Sequence, residues 1–331
     1  MKNLQLIAQK MVANGKGILA ADESTPTCTK RFEALKLEST ELSRNIYRST
    51  LFTSHKLEDY ISGVILFDET FHQTILNTEK TIPQYLKGKD ILTGIKVDKG
   101  AKSLANHNNE KITEGLDGLR ERLQTYQNQG ADFAKWRAVI TIDADNPSDA
   151  CIYSNAHALA RYASLCQENN IVPIVEPEVL MDGTHSIEKC YEISNKTLQI
   201  VFQELTKLKV DLKAIILKPN MILPALNSAN QVNDDTIAEM TFDVLIKNVP
   251  KEVPGIAFLS GGQSSDLAAT RLNRLNQLYM NTAPWKLTFS YGRALQQDAL
   301  SNWAKKSNEK TQEALLHRAK MNHLSCLGKL T

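Results

Sequence analysis

Eight short apolar runs recur along this chain, and each ends in a polar or charged residue. The runs are GILAAD from Gly17, GVILFDE from Gly63, LTGIKVD from Leu92, FAKWRAVITID from Phe133, IVPIVEPEV from Ile171, AIILKPN from Ala214, IAFLSGG from Ile256 and LTFSYGR from Leu287. Strands that are apolar on both faces are typical of a covered parallel sheet. Helical patterns lie between the runs, so the sequence predicts an α/β protein.

Four of the intervening segments have apolar residues three and four positions apart, as on one face of a helix. They are ITEGLDGLRERLQTY from Ile112, CIYSNAHALARYASLCQENN from Cys151, TLQIVFQELTKL from Thr197 and IAEMTFDVLIKNV from Ile237. We also predict Ser39 as the N-cap of a helix over TELSRNIYRS, and Gly130 as the residue that follows a helix ending near Gln129.

The number of β–α units decides the fold class. Eight units within 331 residues fit a closed (β/α)₈ TIM barrel better than an open, doubly wound sheet. The chain contains no linker, low-complexity tract or charge block that would divide it. We therefore predict a single domain over residues 1–331.

The composition of the chain indicates its cellular compartment and the classes of partner it can bind. With 39 basic and 37 acidic residues the net charge is +2, which predicts neither nucleic acid nor a membrane surface as partner. No run approaches the ~20 apolar residues of a membrane span, and the N-terminus lacks the apolar core of a signal peptide. Five cysteines, odd in number and without a C-x-x-C pair, are typical of a reducing compartment. We expect a cytoplasmic protein.

The cysteines and histidines give no sign of a metal or of thiol chemistry. The seven histidines show no H-E-x-x-H or similar ligand spacing, and none is paired with a cysteine in a recognisable frame. His157, inside a helical pattern, is interpreted as a packing or capping residue. We predict neither a metal nor an organic cofactor.

Polar side chains gather where the strands end, which is where the site of such a barrel lies. They are Asp22, Lys96, Lys135, Arg137, Glu176, Glu178, Lys218, Ser260 and Arg293. The spacing i, i+2 places each of the pairs Lys135–Arg137 and Glu176–Glu178 on one face of its strand. Ion pairs that only stabilise the barrel mouth are the simpler interpretation, with Lys218 extending to solvent. Buried charges are costly, however, and seven of the eight run ends contribute, so a functional cluster is favoured.

A lysine in such a cluster can act as a nucleophile once it is neutral. Lowering its pKa from about 10.4 to about 7.4 requires ~4 kcal/mol, which partial burial and a neighbouring cation can supply together. Lys135 is the candidate neighbour of Lys218. A neutral Lys218 would attack a ketone to form an imine, and Glu176 and Glu178 would transfer the protons.

The segment LSGGQSSD, from Leu259, predicts an anion site. Gly261 and Gly262 allow backbone amides to approach an oxyanion, and Arg293 after the last strand offers a bidentate contact for phosphate. LSGGQ also matches a signature of transporter ATPases, but the chain has no P-loop. GKGILA from Gly15 imitates a dinucleotide motif, but its glycines precede the strand.

Taken together, these segments resemble class I fructose-bisphosphate aldolase, the metal-free, Schiff-base type. The resemblance covers nearly the whole chain and rests on GILAADEST, GIKVDKG, GLDGLRERL, GADFAKWR, IVPIVEPE, LKPNM, FLSGGQS and LTFSYGRALQ, in the family's order. It implies a TIM barrel, usually tetrameric. It also implies reversible cleavage of fructose 1,6-bisphosphate into dihydroxyacetone phosphate and glyceraldehyde 3-phosphate.

The resemblance also implies roles for individual residues. Lys218 forms the imine, Glu176 is the principal general acid/base with Glu178 supporting it, Lys135 assists beside Arg137, and Asp22 acts on the C4 hydroxyl. Lys96 belongs to the same pocket. One phosphate is held by Ser260, Gly261, Gly262, Ser290, Gly292 and Arg293, and the other lies near Lys30 and Arg31.

Two departures limit what the resemblance implies. Familiar members have Gly-Ser where this chain has Pro26-Thr27. Thr27 keeps a hydroxyl, but Pro26 restricts the loop and Thr25 before it, so contacts with the second phosphate are not implied. Familiar members also end in a tail with a terminal tyrosine, whereas the last tyrosine here is Tyr291. Preference for the bisphosphate over fructose 1-phosphate is therefore not implied.

Two alternatives to this aldolase stay open. One is a binding protein on an aldolase barrel with its catalysis lost, against which the intact set Asp22, Lys135, Glu176 and Lys218 argues. The other is a Schiff-base barrel that acts on another sugar phosphate, such as sedoheptulose 1,7-bisphosphate.

Overall fold

The eight predicted strands form a closed parallel barrel in the computed structural model, which describes residues 3–331. Residues 3–331 contain ten strands, eight in the barrel and two outside it. They are β1 (Gly17–Ala21), β2 (Ile61–Leu66), β3 (Leu92–Lys96), β4 (Ala101–Ser103), β5 (Lys111–Thr113), β6 (Phe133–Ile140), β7 (Val172–Val179), β8 (Ile216–Leu217), β9 (Gly255–Phe258) and β10 (Lys286–Tyr291). The order around the barrel is β1, β10, β9, β8, β7, β6, β3, β2, while β4 and β5 form a separate antiparallel pair. The predicted TIM barrel is confirmed. Met1 and Lys2, which the predicted domain includes, lie outside the described residues.

Helices connect the strands on the outside of the barrel. They are α1 (Leu4–Met11), α2 (Thr25–Glu33), α3 (Glu41–Phe52), α4 (Asp68–Phe71), α5 (Ile82–Gly88), α6 (Leu119–Asn128), α7 (Asp149–Glu168), α8 (Ile187–Lys207), α9 (Asp234–Asn248), α10 (Ser265–Tyr279), α11 (Arg293–Trp303) and α12 (Asn308–Cys326). α7 packs on β6 and β7, and α12 packs on α10 and α11. Within residues 3–331, every helix is too short or too polar to cross a membrane.

Large side chains fill the amino end of the barrel interior. Phe133, fully buried, packs with Ile18, Ile174 and Ile216, and Met11 of α1 belongs to the same cluster. The first helix therefore covers the amino end, and the opposite end is left for a site.

Two glycines make room for the Phe133 ring. A Cβ built on Gly94 would lie 2.2 Å from this ring, and one built on Gly63 would lie 2.9 Å from it. We expect Gly94→Ala to lower the free energy of unfolding by about 1–3 kcal/mol, because the added methyl group would overlap a fully buried ring. Phe133→Ala alone should cost about 3–5 kcal/mol through the cavity it leaves.

Urea unfolding of the double variant tests the cause of that loss. In the Phe133→Ala background, Gly94→Ala should lower the free energy of unfolding clearly less than it does alone, since the ring that the added methyl group would overlap is absent. Gly88→Ala is the control, because no atom outside its own chain neighbours and helix backbone lies within 4 Å of its added Cβ. Additive costs of the two barrel substitutions would contradict the steric explanation.

Three local predictions from the sequence are wrong. The helical pattern from Ile112 is split: Ile112 lies in β5, and α6 begins only at Leu119, because Gly115 and Gly118 adopt left-handed φ values of +127° and +64°. Thr40, not Ser39, caps α3, its Oγ1 accepting from the Ser43 amide at 3.0 Å.

His157 lies on α7, but its side chain is 53% exposed and pairs with Glu204 at 3.0 Å, so it neither packs nor caps. Gly130 does follow α6, with a φ of +106°.

All five cysteines are free and buried. Cys28 lies on α2, Cys151 and Cys166 on α7, Cys190 on α8 and Cys326 at the end of α12. They are therefore spread around the barrel and form no disulfide.

Candidate active site

A cavity of about 590 Å³ opens at the carboxyl ends of the barrel strands. Its wall contains all the predicted site residues except Gly262: Asp22, Lys30, Arg31, Lys96, Lys135, Arg137, Glu176, Glu178, Lys218, Ser260, Gly261, Ser290, Gly292 and Arg293. Gly262 borders it, since a Cβ there would lie 3.9 Å from an Arg293 Nη. Residues that the sequence reasoning missed also line it: Ala20, Glu23, Ser24, Ala34 and Leu259, with Thr27, noted only for its hydroxyl.

Four charged side chains form a continuous row at the base of the cavity. Lys135 Nζ lies 2.9 Å from Asp22 Oδ2 and 3.2 Å from Glu176 Oε2. Glu176 Oε1 in turn lies 3.2 Å from Lys218 Nζ. All four are buried, and each charge faces an opposite one, which offsets the cost of removing them from water.

The backbone fixes Lys218 although its strand is short. β8 contains only Ile216 and Leu217, but the Lys218 amide still donates to the Val175 carbonyl at 2.8 Å. Pro219, which has no N–H, follows, and its carbonyl accepts from the Leu259 amide at 3.1 Å. Backbone hydrogen bonds of the barrel thus hold both Lys218 and the residue that follows it.

The two central lysines differ in pKa. Burial lowers the pKa of Lys218, and the Lys135 charge acts in the same direction, while Glu176 opposes them. Burial would also lower the pKa of Lys135, but Asp22 and Glu176 outweigh it and raise that pKa. Lys135 therefore stays a cation, and Lys218 loses its proton more readily than a free lysine.

Asp22 carries a lowered pKa for a related reason. Burial alone would raise the pKa of its carboxyl group, but Lys135 and Lys218 outweigh burial and bring it to about 2, from an ordinary 3.8. The ionised form is thus favoured in the folded state. It contributes about 2 kcal/mol of stability above pH ~4, which is lost as the pH falls toward 2.

This linkage predicts a pH-dependent effect of Asp22→Asn. At pH 6 the variant should unfold about 2 kcal/mol more easily than the wild type, and the difference should shrink as the pH falls from 4 toward 2. Urea titrations at several pH values measure it. Asp149→Asn removes an exposed carboxylate paired with Lys196 and should cost less than about 1 kcal/mol. A difference at position 22 that stays constant with pH would contradict the assignment.

A second set of ion pairs lies beside the four charged residues at the base of the cavity, with Lys96 in register with Lys135 on the neighbouring strand. Arg137 Nε donates to Glu178 Oε2, and the Lys96 Nζ donates to Asp98 Oδ1 at 2.6 Å. Asp98 also accepts from the Arg137 amide at 3.3 Å, so it links β3 to β6. Its side chain positions Lys96, a role that the sequence reasoning did not assign.

The loop after β9 has the geometry of an anion site. Gly261 and Gly262 adopt left-handed φ values of +54° and +83°, and α10 begins three residues later with Ser264 as its N-cap. The Ser290 hydroxyl is buried and has no hydrogen-bond partner among the described residues. Arg293 opens α11 beside this loop. The amides, the hydroxyl and the guanidinium suit a phosphate.

The opposite wall is formed by α2. Pro26 lies in its first turn, where a missing N–H is tolerated, so the helix begins at Thr25 despite the restriction expected from the sequence. Thr27 lies three and four positions before Lys30 and Arg31, on the same helical face. All three side chains line the cavity. The proline thus starts the helix that carries these cations.

No group of three or more His, Cys, Asp or Glu side chains with the geometry of a metal site occurs in the part of the chain that the structure describes.

Residues 3–331 match the family described as glycolytic, fructose-bisphosphate aldolase class-I. The chain belongs to the class I fructose-bisphosphate aldolase family. The resemblance inferred from the sequence is thereby confirmed, and so is the expectation of a carbon–carbon lyase.

Relatives in this aldolase family come from bacteria, plants and animals. A probable fructose-bisphosphate aldolase class 1 of Xanthomonas campestris is 50% identical over 99% of this chain and 98% of its own length. The cytosolic fructose-bisphosphate aldolase 4 of Arabidopsis thaliana is 48% identical over 95% and 80%, respectively. A solved aldolase of Plasmodium falciparum, in complex with TRAP and a small-molecule inhibitor, superimposes with a TM-score of 0.96 at 46% identity, covering 99% of this chain and 95% of that one.

Proposed function

We propose that this aldolase cleaves fructose 1,6-bisphosphate through an imine on Lys218. The observation that carries the proposal is a buried amine of lowered pKa in contact with a carboxylate, Glu176, at the base of a cavity with a cationic wall on either side. An amine whose pKa is lowered is more readily in the neutral form that attacks a ketone.

In the proposed reaction, the neutral Lys218 amine attacks the C2 carbonyl of the open-chain sugar. Glu176, 3.2 Å from this amine, accepts and returns the protons while water leaves and the protonated imine forms. Lys135 stays charged and stabilises the negative charge that develops on oxygen.

The next step breaks the bond between C3 and C4. The C4 hydroxyl gives up its proton toward the ionised Asp22, an aldehyde forms at C4, and the electron pair of the broken bond moves into the imine to give an enamine. Glu178, supported by Arg137, assists the proton transfers near the mouth. Protonation of the enamine and hydrolysis then release the ketone product and regenerate Lys218.

The two phosphates are assigned to opposite walls of the cavity. Ser260, Gly261, Gly262, Ser290, Gly292 and Arg293 would hold the phosphate nearer the ketone. Thr27, Lys30 and Arg31 would hold the distal one, with Lys96 between the two walls. Backbone amides at a helix N-terminus and arginine side chains are the groups that phosphate prefers.

A substrate panel tests this proposal. Fructose 1,6-bisphosphate, fructose 1-phosphate and sedoheptulose 1,7-bisphosphate are each offered to the purified protein, with and without EDTA. We expect turnover of the first, unchanged by EDTA. A higher kcat/KM on the seven-carbon sugar would instead favour an aldolase for that substrate. No turnover of any would favour a binding protein.

We also propose a domain organisation, an oligomeric state and a cellular location for this aldolase. We infer a single domain, a homo-oligomer with four subunits by family resemblance, and a cytoplasmic location. One barrel with a shared core supports the first, and the reduced cysteines support the last. Light scattering of the purified protein tests the oligomeric state.

A further inference from the structure

A row of alternating charges extends from the cavity wall into the protein between α2 and α3. Its members, in order, are Arg31, Glu23, Arg48, Glu69 and Arg44. Each of the five side chains is less than one-fifth exposed. The row contains one more arginine than carboxylates, and the Arg31 end faces the cavity. Its excess positive charge is therefore available to an anionic ligand.

Only half of the Arg31 guanidinium is used in the row. Nη1 donates to Glu23 Oε1, whereas Nη2 is buried and has no hydrogen-bond partner among the described residues. A buried donor without a partner is costly, so a shift of the guanidinium that brings Nη2 to a ligand oxygen in the cavity would be favourable.

Glu23 cannot easily move away from Arg31. Its Oε1 also accepts from Gln296 Nε2 at 3.0 Å, and its carbonyl accepts from Arg48 Nη2 at 2.7 Å. Gln296 is itself fixed, since its Nε2 donates to the Ala20 carbonyl at 2.7 Å and its Oε1 accepts from the Tyr47 hydroxyl at 3.1 Å. The carboxylate is therefore a rigid competitor for one arm of Arg31.

We propose that Glu23 limits the affinity of the enzyme for the distal phosphate, and so acts as a specificity-determining residue. By binding Nη1 it competes with the phosphate for that nitrogen and partly neutralises the guanidinium charge, so Arg31 holds the phosphate less tightly. The aldehyde phosphate product leaves more readily as a result, and the advantage of a bisphosphate over a monophosphate substrate is smaller. This inference rests on the proposed function for the identity of the ligand.

Calorimetry with a hexitol 1,6-bisphosphate, which cannot be cleaved, tests the proposal. We expect Glu23→Gln to lower its Kd about tenfold, since a neutral amide competes less strongly than a carboxylate with the phosphate for Arg31. In an Arg31→Met background the same change should have no effect. Glu69→Gln is the matched control, because it removes the other carboxylate of the row without touching the cavity, and its Kd should equal that of the wild type.

Kinetics supply a second measurement. In Glu23→Gln the KM for fructose 1,6-bisphosphate should fall about tenfold, while the KM for fructose 1-phosphate should stay within twofold of the wild type. Unchanged or weaker bisphosphate binding, or tightening that persists without Arg31, would overturn the inference. If Glu23→Gln does not fold, Glu23→Asp keeps the charge but withdraws it from Arg31, and should give the same result with a smaller change.

The calorimetric result does not depend on turnover. A wild-type protein that binds the hexitol bisphosphate but cleaves no sugar phosphate would contradict the proposed function and leave the role of Glu23 intact. Normal cleavage by the wild type, together with an unaltered Kd in Glu23→Gln, would support the proposed function and contradict the role of Glu23.

Discussion

Lys218→Met should abolish turnover of fructose 1,6-bisphosphate, with kcat reduced by about 10⁴-fold or more. Methionine has a similar length but no amine, so no imine can form, and the other groups of the site have no covalent intermediate on which to act. Steady-state assays at high protein concentration measure the residual rate. Fold is checked by circular dichroism, because the methionine also leaves the Glu176 carboxylate with one cation fewer.

Chemical trapping identifies the residue directly. Borohydride added with dihydroxyacetone phosphate should attach a reduced triose phosphate to the wild type, on the peptide that contains Lys218, and nothing to Lys218→Met. Lys196→Met removes an exposed lysine on α8 and should trap and turn over as the wild type does. Covalent mass on another lysine, or full activity after treatment with borohydride and dihydroxyacetone phosphate, would rule out Lys218 as the imine-forming residue.

Glu176→Gln should reduce kcat by about 10²–10⁴-fold and still allow trapping at Lys218. The amide cannot accept and return a proton. It also removes the charge that opposes the lowering of the Lys218 pKa, so the amine should be neutral at a lower pH than in the wild type. Borohydride trapping should therefore extend to a lower pH than in the wild type, while turnover is reduced at every pH measured.

Glu178→Gln is the matched comparison for this substitution. Glu178 is buried on the same strand, but it pairs with Arg137 at the mouth and not with a lysine of the central row. Its loss should reduce kcat by less than that of Glu176. A larger loss at position 178 would mean that the two carboxylates have the opposite ranking.

The sequence was enough to predict the barrel because each strand is a continuous apolar run, and because a parallel sheet brings all strand ends to one edge. Lys135, Glu176 and Lys218 could therefore be expected close together from their positions alone. The helix pattern from Ile112 failed because two apolar residues of β5 and its loop happened to have helical spacing, while Gly115 and Gly118 stop the helix from forming.

The row that includes Glu23 could not be predicted in the same way. Arg48 lies on α3 and Gln296 on α11, far from Glu23 in sequence, and each looks like an ordinary polar residue of an amphipathic helix. Only the three-dimensional closure of the barrel brings β1 next to α11. The one local sign was that Glu23 follows directly after Asp22 at a strand end.

Because the buried cysteines lie in different helices, their reaction with a thiol reagent can report where the folded protein opens locally. Each thiol belongs to a different part of the wall around the barrel, except for the two on α7. A thiol reagent can react only when the covering segment opens, so its rate at each cysteine measures the free energy of that opening. Mass spectrometry of a labelling time course would then rank α2, α7, α8 and α12 by local stability, without any engineered probe.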